Sequence, residues 1–349
     1  MNMKKLICLL LAAAMLAALA AGCAKSEAPA QQPVQEEAPA AEDTQKAEEP
    51  EAKPEPEKQE TPEPEPEAED HSVTVTDMMG RTVTLDEPAT RVVALSAADC
   101  EVLFAVGAGD TLVGRGEFCD WPAECLSVPS VNSGAETSVE DILALEPDVV
   151  IMPTMAQTEE QVKQLEKAGV TVVVTDAQDL DGVYEAIDLI SCVVGHNTQG
   201  ALLVANLIDG FDALRARGAD SGKTVYFEVS PLQWGLWTAG GGTFMDELAE
   251  LAGLTNVFGD LDGWQQIDEE QVLAADPDYI VTITMYYGEG PTPVEEIASR
   301  PGWENLKAVK NGQILNADSN EISRPGPRLL DAAKMLIDFV YGVAEAPAA

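Results

Sequence analysis

The sequence predicts an α/β fold of two similar lobes with mainly parallel sheets, joined by one long helix. One observation is a repeat, in which EDILALEPDVVI at residues 140–151 returns as EQVLAADPDYIV at residues 270–281. Each copy has the pattern of a short amphipathic helix that ends at an acid-Pro-Asp sequence and leads into a buried strand. A second observation is a helical pattern without strands at residues 198–218, which separates two series of alternating strands and helices. We therefore expect a cleft between the lobes, where ligands commonly bind.

The N-terminus has the features of an export signal rather than of a folded element. Two lysines precede an apolar run at residues 6–21, and Gly22 and Cys23 follow it. The run is shorter than a membrane span of about 20 residues, and polar chain follows at once. The pattern resembles a bacterial lipoprotein signal, which implies removal of residues 1–22 and an extracytoplasmic protein, lipid-anchored to the cell membrane through Cys23. The alternative is an ordinary cleaved secretory signal.

Residues 23–71 are expected to form a disordered acidic tether. After Cys23 they are mostly Glu, Pro, Ala, Gln and Lys, and they include PEPEPE at residues 62–67. Low hydrophobicity and high charge cannot offset chain entropy, and proline with like charges keeps such a segment extended. The formal net charge of the whole chain is -41 at pH 7, which argues against nucleic acid and anionic lipid as partners.

The first lobe is expected at residues 72–197. Alternating patterns on both sides of Gly80 predict a hairpin of two strands. The elements predicted after it are a buried strand at 91–95, a helix at about 99–106, strands at 111–114 and 149–151, a helix at about 158–168 and a strand at 170–174. Because strands alternate with helices, we expect parallel pairing with right-handed crossovers.

A single helix is expected to join the lobes at residues 198–218, with Thr198 as its N-cap and a break before it near Gly195 and His196. One helical connection predicts a stiff hinge and only modest closure around a ligand. The second lobe, residues 219–349, is predicted to contain a strand at 225–229, a helix at 243–251, the second repeat, a strand at 313–316 and a closing helix at about 328–343.

Aromatic residues follow the carboxyl ends of several predicted strands, which is where parallel α/β sheets bind ligands. Only 5% of the chain is aromatic, yet four of its five tryptophans fall in or beside these loops. Such a cleft favours a large, flat, amphipathic ligand, whereas a small ion or amino acid would need polar or charged closure. The alternative is that each tryptophan caps the core of its own lobe. The predicted ligand-binding residues are Phe118, Asp120, Trp121, Met155, Trp234, Trp237, Trp264, Tyr286, Asn320 and Arg324.

The sequence lacks a pattern of residues typical of catalysis or metal binding. His71 lies in the expected tether and His196 at a helix break, and no Ser-His-Asp set, CxxC pair or histidine cluster is apparent. Cys119 and Cys125 are close enough in sequence to form a disulfide, or they remain free. We therefore expect no enzyme, no resident cofactor and no metal site. The competing classes are a metal-chelate enzyme on a related two-lobe framework and a surface adhesin or sensor.

Several motifs occur in a fixed order from about residue 72 to the end of the chain. They are Thr76-Asp77-x-x-Gly80-Arg81, the run from Arg91 to Ser96, Cys119-Asp120-Trp121-Pro122, the two repeats, the run from Ala239 to Phe244 and the run from Arg324 to Arg328. Together they resemble the class III, helical-backbone substrate-binding proteins of ABC importers. The resemblance implies a monomer that docks on an ABC permease dimer with its ATPase subunits, with Glu140 and Glu270 as the docking carboxylates, one per lobe.

Within this family the residues favour a corrinoid, a cobalamin-like ligand. Phe118 precedes the Asp-Trp-Pro motif and Trp264 precedes the second repeat, as in cobalamin-binding members. Two differences from the cobalamin-binding members leave other ligands open. Ser133 and Gly134 stand about where those members carry a tryptophan, and Asn320 aligns closest to the position of an aspartate in their C-terminal loop.

Two other metal chelates remain as alternatives. A ferric siderophore would place its negative charge against Arg324 or Arg328. Haem is less favoured, because the second lobe has no histidine to serve as an axial ligand. The axial ligand of haem would have to be Met155 of the first lobe or Met285 of the second.

Overall fold

The computed structural model describes residues 71–134, 137–154, 158–218 and 221–342. These residues belong to one unit, Glu67–Ala349. Cys23, the expected tether up to residue 70 and the predicted ligand residue Met155 lie outside the described ranges. None of the helices within those ranges is long and apolar enough to cross a membrane.

The chain begins with an antiparallel hairpin and continues into a parallel sheet. The hairpin consists of β1 (Val73–Thr76) and β2 (Thr82–Leu85). Its turn is closed by Asp77, whose carboxylate accepts hydrogen bonds from the backbone N–H groups of Met79 and Arg81. The strands of the first sheet are β3 (Val92–Ala94), β4 (Leu112–Gly116), β5 (Ser130–Val131), β6 (Val149–Pro153) and β7 (Thr171–Thr175). They are parallel, in the order β5-β4-β3-β6-β7.

Both faces of the first sheet are buried, as is usual for parallel strands. Along β3, Val92 and Ala94 belong to one hydrophobic cluster and Val93 belongs to another, because successive side chains point to opposite faces. Four helices accompany this sheet: α1 (Ala97–Ala105), α2 (Val139–Ala144), α3 (Thr158–Lys167) and α4 (Leu180–Val193). The elements from β1 to α4 are called the first half below.

A single helix, α5 (Asn197–Arg215), carries the chain from the first sheet to the second. Gly195 follows α4 in a left-handed conformation, with φ 72°, and the chain re-enters a helix almost directly. The N-cap position is His196, so the prediction of Thr198 is wrong. The imidazole Nδ1 bonds to the Val106 carbonyl at 2.8 Å and makes no capping bond. The lobe boundaries at residues 72–197, 198–218 and 219–349 remain predictions.

The second half repeats the architecture of the first in a smaller form. Its strands are β8 (Lys223–Glu228), β9 (Trp237–Ala239), β10 (Leu254–Asn256), β11 (Trp264–Gln266), β12 (Tyr279–Thr282) and β13 (Ile314–Asn316). Four are parallel, in the order β10-β8-β12-β13, while β9 and β11 form a separate antiparallel ribbon that the sequence analysis did not predict. The helices are α6 (Phe244–Leu251), α7 (Glu269–Ala275), α8 (Pro293–Ser299), α9 (Lys307–Lys310), α10 (Ser319–Ile322) and α11 (Leu329–Tyr341).

The repeat in the sequence is also a repeat in the structure. The strand after each copy pairs with the corresponding central strand, β6 with β3 and β12 with β8. Glu146 and Asp276 occupy the same position of the two copies, and both have left-handed backbones, with φ 49° and 44°. Asp148 and Asp278, two residues later, each accept hydrogen bonds from the N–H and the hydroxyl of a threonine at the neighbouring strand. The predicted fold class is confirmed.

One hydrophobic cluster extends through both halves, and each sheet has a second cluster on its other face. The shared cluster connects the two sheets through α5 and the closing helix α11. Its members include Val92, Val149, Leu207, Phe211, Leu214, Val225, Val281, Leu336 and Ile337. The halves are therefore held together by packing as well as by the chain.

Candidate ligand cleft

A cavity of about 340 Å³ lies between the two halves, at the carboxyl ends of the first sheet. The first half contributes residues at the ends of β3, β6 and β7, and the second contributes residues from α6, β11 and the segment before α11. Parallel α/β sheets bind ligands at this position. The volume is near the lower end of ordinary ligand pockets, which span roughly 300–1,000 Å³. Residues of the lining include Ser96, Asp99, Thr175, Gln178, Phe244, Trp264 and Arg324.

The floor of this cavity is a small polar cluster. Ser96 is the N-cap of α1, and its Oγ accepts a hydrogen bond from the Asp99 N–H at 3.0 Å. The same hydroxyl donates to Asp99 Oδ2 at 2.6 Å, and the hydroxyl of Thr175 at the end of β7 donates to that oxygen at 3.3 Å. Burial raises the pKa of Asp99 to about 6, although these two hydrogen bonds act in the opposite direction.

Trp264 contacts the first half from across the cleft. Its Nε1 donates to Oε1 of Gln178 at 3.1 Å, and its ring tilts against Phe244, with the ring centroids 5.3 Å apart. Trp264 is directly paired with Ala239 on the ribbon of β9 and β11. Because paired residues and residues two apart on a strand share one face, Trp237 lies on the same face of the ribbon as Trp264.

Other predicted aromatic residues are exposed, which is unusual for side chains of this size. Phe118 lines a smaller cavity of about 180 Å³, which shares Ser96 with the main one. Trp303, which was not predicted for the site, is fully buried. Exposed apolar groups close to a cavity are typical of binding sites. The exposed fractions are 71% for Phe118, 50% for Trp121, 76% for Trp234, 40% for Trp237 and 44% for Tyr286.

The predicted polar residues form a network between the two halves. Arg324 donates to Asp120 at 2.6 Å and to the buried Glu101 of α1 at 2.8 Å. Arg328 donates twice to Glu101, at 3.0 and 2.9 Å, and Asn320 accepts from Arg324 at 2.7 Å. Both arginines precede α11, so these ion pairs hold the C-terminal segment against the first half. The charge of Arg324 is matched by two carboxylates, although the residue lines the cavity.

The structure brings some of the predicted site residues together and leaves others apart. Trp264 and Arg324 line the main cavity, and Phe118 lines the adjoining one. The Trp121 ring packs under the Arg328 guanidinium, whose carbon lies 5.0 Å from the ring centroid. Three predicted aromatic residues of the second half are exposed but are outside these two linings: Trp234, Trp237 and Tyr286.

The sequence analysis missed the polar floor and the role of Glu101. Ser96 follows β3 and Thr175 ends β7, so both satisfy the rule that site residues follow the carboxyl ends of strands. Glu101 carried no signal, because a single acid in a helix pattern is usually a solvent-facing residue.

Glu140 and Glu270 occupy equivalent places on the two halves. Each is the second residue of a short helix, α2 or α7. Both side chains are exposed. A carboxylate in the first turn is favoured by the helix dipole, and its exposure leaves it accessible to cationic groups of another protein.

The cysteines of the folded part are free thiols. Cys100, Cys119 and Cys125 are buried, and Cys125 Sγ lies 3.4 Å from the Cys119 carbonyl oxygen. A hydrogen bond with Cys119 and burial raise the pKa of the Cys100 thiol, and burial raises that of Cys125. Within the ranges that the structure describes, no group of three or more His, Cys, Asp or Glu is arranged to hold a metal ion.

Comparison with known proteins identifies the family. The periplasmic binding protein family matches residues 92–321, which include both parallel sheets. The chain belongs to this family.

Curated relatives of this periplasmic binding protein cover most of its length. An uncharacterised ABC transporter substrate-binding lipoprotein of Bacillus subtilis is 30% identical over 276 residues, which are 77% of this chain and 85% of that protein. A cobalamin-binding protein of Halobacterium salinarum is 28% identical over 268 residues, covering 74% and 71%. A vitamin B12-binding protein of Salmonella typhimurium is 30% identical over 259 residues, covering 73% and 91%.

Solved structures share the fold. A possible iron-binding, periplasmic solute-binding protein of Staphylococcus epidermidis has a TM-score of 0.64 and 26% identity, and the match covers 73% of this chain and all of that one. A periplasmic heme-binding protein of Vibrio cholerae has a TM-score of 0.66 and 22% identity, covering 72% and 99%. The second likeness, below 25% identity, supports the fold alone.

Family membership determines the general role. The protein is the extracytoplasmic substrate-binding component of an ABC transporter, which works with a permease and an ATPase. Its relatives are transport components and not enzymes, so the prediction of a non-catalytic protein of this class is confirmed.

Proposed function

We propose that this protein captures a corrinoid in the cleft and delivers it to its permease. The observation that carries the proposal is a pair of aromatic rings: Trp264 lines the cavity with the polar floor, and the exposed Phe118 lines the cavity that adjoins it. A corrinoid is a large ring with an apolar face and a polar edge. Indole and phenyl groups favour such a face through stacking and burial of apolar area. Relatives named as cobalamin-binding and vitamin B12-binding proteins support the same ligand class.

The volume of the cavity indicates how such a ligand would be held. About 340 Å³ suits the substituents of a large ring better than the whole ring. We therefore place the ring across Phe118 and Trp264, with part of its edge in the cavity. The other proposed contacts are Asp120, Trp121, Trp234, Trp237, Tyr286, Asn320 and Arg324, and Met155 stays a prediction outside the described residues.

A ferric siderophore is the second candidate, because of the similarity to a possible iron-binding protein. An anionic chelate needs a cationic group without a carboxylate partner. Arg324 and Arg328 line or adjoin the cleft, but both are paired with Glu101, and Arg324 also with Asp120. This arrangement favours a ligand without net negative charge.

Calorimetric titration of the protein with cyanocobalamin, a panel of ferric siderophores and haemin tests the ligand class. We expect saturable binding of cyanocobalamin, with a negative heat-capacity change from burial of apolar surface. Binding of a siderophore or haemin in preference to cyanocobalamin would replace the corrinoid by that chelate. Failure of all three to bind would sink the proposal.

We also propose that Glu140 and Glu270 dock on the permease and that lipid on Cys23 anchors the protein. The likeness to a named lipoprotein supports the anchor. Cys23→Ser should remove the lipid, as read by mass spectrometry, and shift the protein from the membrane fraction to the soluble fraction. An unchanged membrane fraction would contradict the anchor.

A further inference from the structure

The polar floor of the cleft contains a carboxylate that is only half satisfied. Asp99 Oδ2 accepts hydrogen bonds from Ser96 and Thr175. Among the described residues no group donates to Oδ1, although the side chain is only 3% exposed. An acceptor that meets little water gains from a hydrogen-bond donor, so a ligand group that donates to this oxygen would be favoured.

Asp99 belongs to the lining of the cavity that a ligand would occupy. No fully enclosed side-chain oxygen or nitrogen in the described part of the chain lacks a partner. Asp99 Oδ1 therefore keeps some accessible surface, and Asp99 lines the cleft cavity. Helix capping explains the contacts of Ser96 with the N–H and Oδ2 of Asp99, since acids are favoured in a first turn. Capping does not explain why this carboxylate, with one oxygen that has no donor among the described residues, lines a cavity.

The charges around the floor do not neutralise Asp99. Asp176 and Arg324 also line the cavity. Asp176 adds negative charge and accepts a hydrogen bond from Gln178 at 2.8 Å. Arg324 is paired with Glu101 and Asp120. The floor is therefore an acceptor-rich, negative surface at neutral pH.

We propose that Asp99 is a specificity-determining residue, which accepts a hydrogen bond from a carboxamide at the edge of the ring and excludes a carboxylate from the same place. The inference rests on the proposed function, because a corrin ring carries carboxamides around its edge. The amide N–H supplies the donor that Oδ1 lacks. A carboxylate there would bring two negative charges together in a place with little water, and like charges in such a place repel strongly.

The protonation of Asp99 makes the selectivity depend on pH. Because burial raises its pKa to about 6, Asp99 is ionised at pH 7.5 and largely protonated at pH 5.5. The protonated group donates a hydrogen bond to a carboxylate or to an amide oxygen, so it tolerates both. Preference for the amide ring should therefore fall as the pH is lowered.

Two rings with the same corrin and cyanide ligands test the inference: dicyanocobinamide, whose side chains are amides, one of them extended by aminopropanol, and dicyanocobyrinic acid, whose side chains are carboxylates. Affinities of the full chain for both are measured at pH 7.5 and 5.5, for the wild type, Asp99→Asn and the control Asp110→Asn on the exposed surface of the same half. Asn keeps the shape and acceptor of Asp without its charge. We expect Asp99→Asn to lower the ratio of the two affinities at pH 7.5 by about tenfold or more, chiefly by tighter binding of the carboxylate ring.

The ratio of the two affinities should also fall between pH 7.5 and pH 5.5, and it should fall further in the wild type than in Asp99→Asn. The change in Asp99→Asn reports the titration of the ligand itself. Asp110→Asn should behave as the wild type. If dicyanocobinamide binds and the ratio is the same in Asp99→Asn and at both pH values, the inference is wrong while the proposed function stands. If neither ring binds the wild type, the proposed function fails and the inference with it. Should Asp99→Asn not fold, Asp99→Ala, which also lacks the charge, takes its place in both comparisons.

Discussion

Trp264, a proposed ligand contact, also joins the two halves of the molecule. Its ring lines the cavity and leans on Phe244, and its Nε1 bonds to Gln178 of the opposite half. Because Trp264 is only half-buried, a substitution there should change ligand affinity more than it changes the free energy of unfolding. The neighbouring floor residue Asp99 is different, because its carboxyl is buried in a place that disfavours its charge.

Replacement of Trp264 by alanine should weaken corrinoid binding. Stacking contributes about 0.5–1.5 kcal/mol beyond burial of area, so a loss of roughly tenfold or more in affinity is expected by calorimetry. Trp264→Phe keeps a ring without the Nε1 donor and should fall between. Leu202→Ala, an exposed site on α5, is the control. Normal affinity in a well-folded Trp264→Ala protein would remove this residue from the site.

Asp99 should lower the stability of the empty protein at neutral pH. Its pKa is raised from 3.8 to about 6 in the folded state, so the unfolded state loses this proton first as the pH rises. The stability linked to the protonated form is complete below about pH 4 and is lost as the pH rises through 6. At 1.4 kcal/mol per pKa unit the loss is on the order of 3 kcal/mol.

Urea unfolding of the wild type and Asp99→Asn between pH 4 and pH 8 measures this difference. The gain in stability of Asp99→Asn over the wild type should grow between about pH 4 and pH 6 and level off at higher pH. A constant difference would mean that Asp99 titrates in the folded state as it does in the unfolded chain.

At the scale of elements, a buried ion pair connects β8 to the segment after α8. Arg300 donates to both oxygens of Glu228, at 2.7 and 2.9 Å, and both side chains are almost fully buried. Burial raises the pKa of Glu228, and the Arg300 guanidinium opposes this shift. The same guanidinium lies over the Trp303 ring, 4.5 Å from its centroid. Removing one partner of a buried ion pair destabilises the folded state strongly, whereas replacing both partners by apolar residues is often neutral.

Arg300→Met should therefore destabilise the protein by about 3–5 kcal/mol, because it leaves Glu228 buried without a counter-charge. The midpoint of urea unfolding measures the loss. The matched control is Lys163→Met, which removes the exposed partner of Glu159 at 3.7 Å and should cost less than about 1 kcal/mol. If the two substitutions lowered the free energy of unfolding equally, the proposed contribution of the buried ion pair to stability would be wrong.

The elements differ in how far the sequence could predict them. The two repeats and the buried strands were predictable because short continuous apolar runs indicate strands that are buried on both faces. The ribbon of β9 and β11 was not, because their sequences, WTA and WQQ, are not continuous apolar runs, whereas β3, which is equally short, is wholly apolar. The cleft floor depends on which strand ends lie side by side, and this follows from the order of β3, β6 and β7 in the sheet. Asn320 and Arg324 were predicted for the cleft, but their pairing with Asp120 and Glu101 depends on long-range packing.

At the scale of the whole molecule, Glu140 and Glu270 present equivalent acidic points on two similar halves. Glu140→Arg with Glu270→Arg should abolish uptake of the ligand by whole cells, because like charges would face the cationic side chains of the permease. Ligand affinity in calorimetry should stay at the wild-type value, since neither residue lines the cleft cavity.

The control for this double substitution is Glu159→Arg with Glu250→Arg, which changes the net charge equally at two other exposed positions. Normal uptake by the docking double mutant would show that the assignment is wrong. Loss of uptake in the control as well would show that net charge, and not position, is responsible.

Small-angle X-ray scattering should give the same radius of gyration with and without ligand, within error. The shared cluster of α5 and α11 and the ion pairs of Glu101 resist wide separation of the halves. A contraction typical of proteins with a free hinge would contradict this.

The apolar cluster that runs from one sheet to the other resists separation of the halves. We therefore expect the protein to have nearly the same shape with and without ligand. If docking takes place at Glu140 and Glu270, as proposed, the permease would meet the same arrangement of these two carboxylates in either state. The permease would then have to recognise the loaded protein through the bound ligand itself, or through the aromatic side chains proposed to contact it.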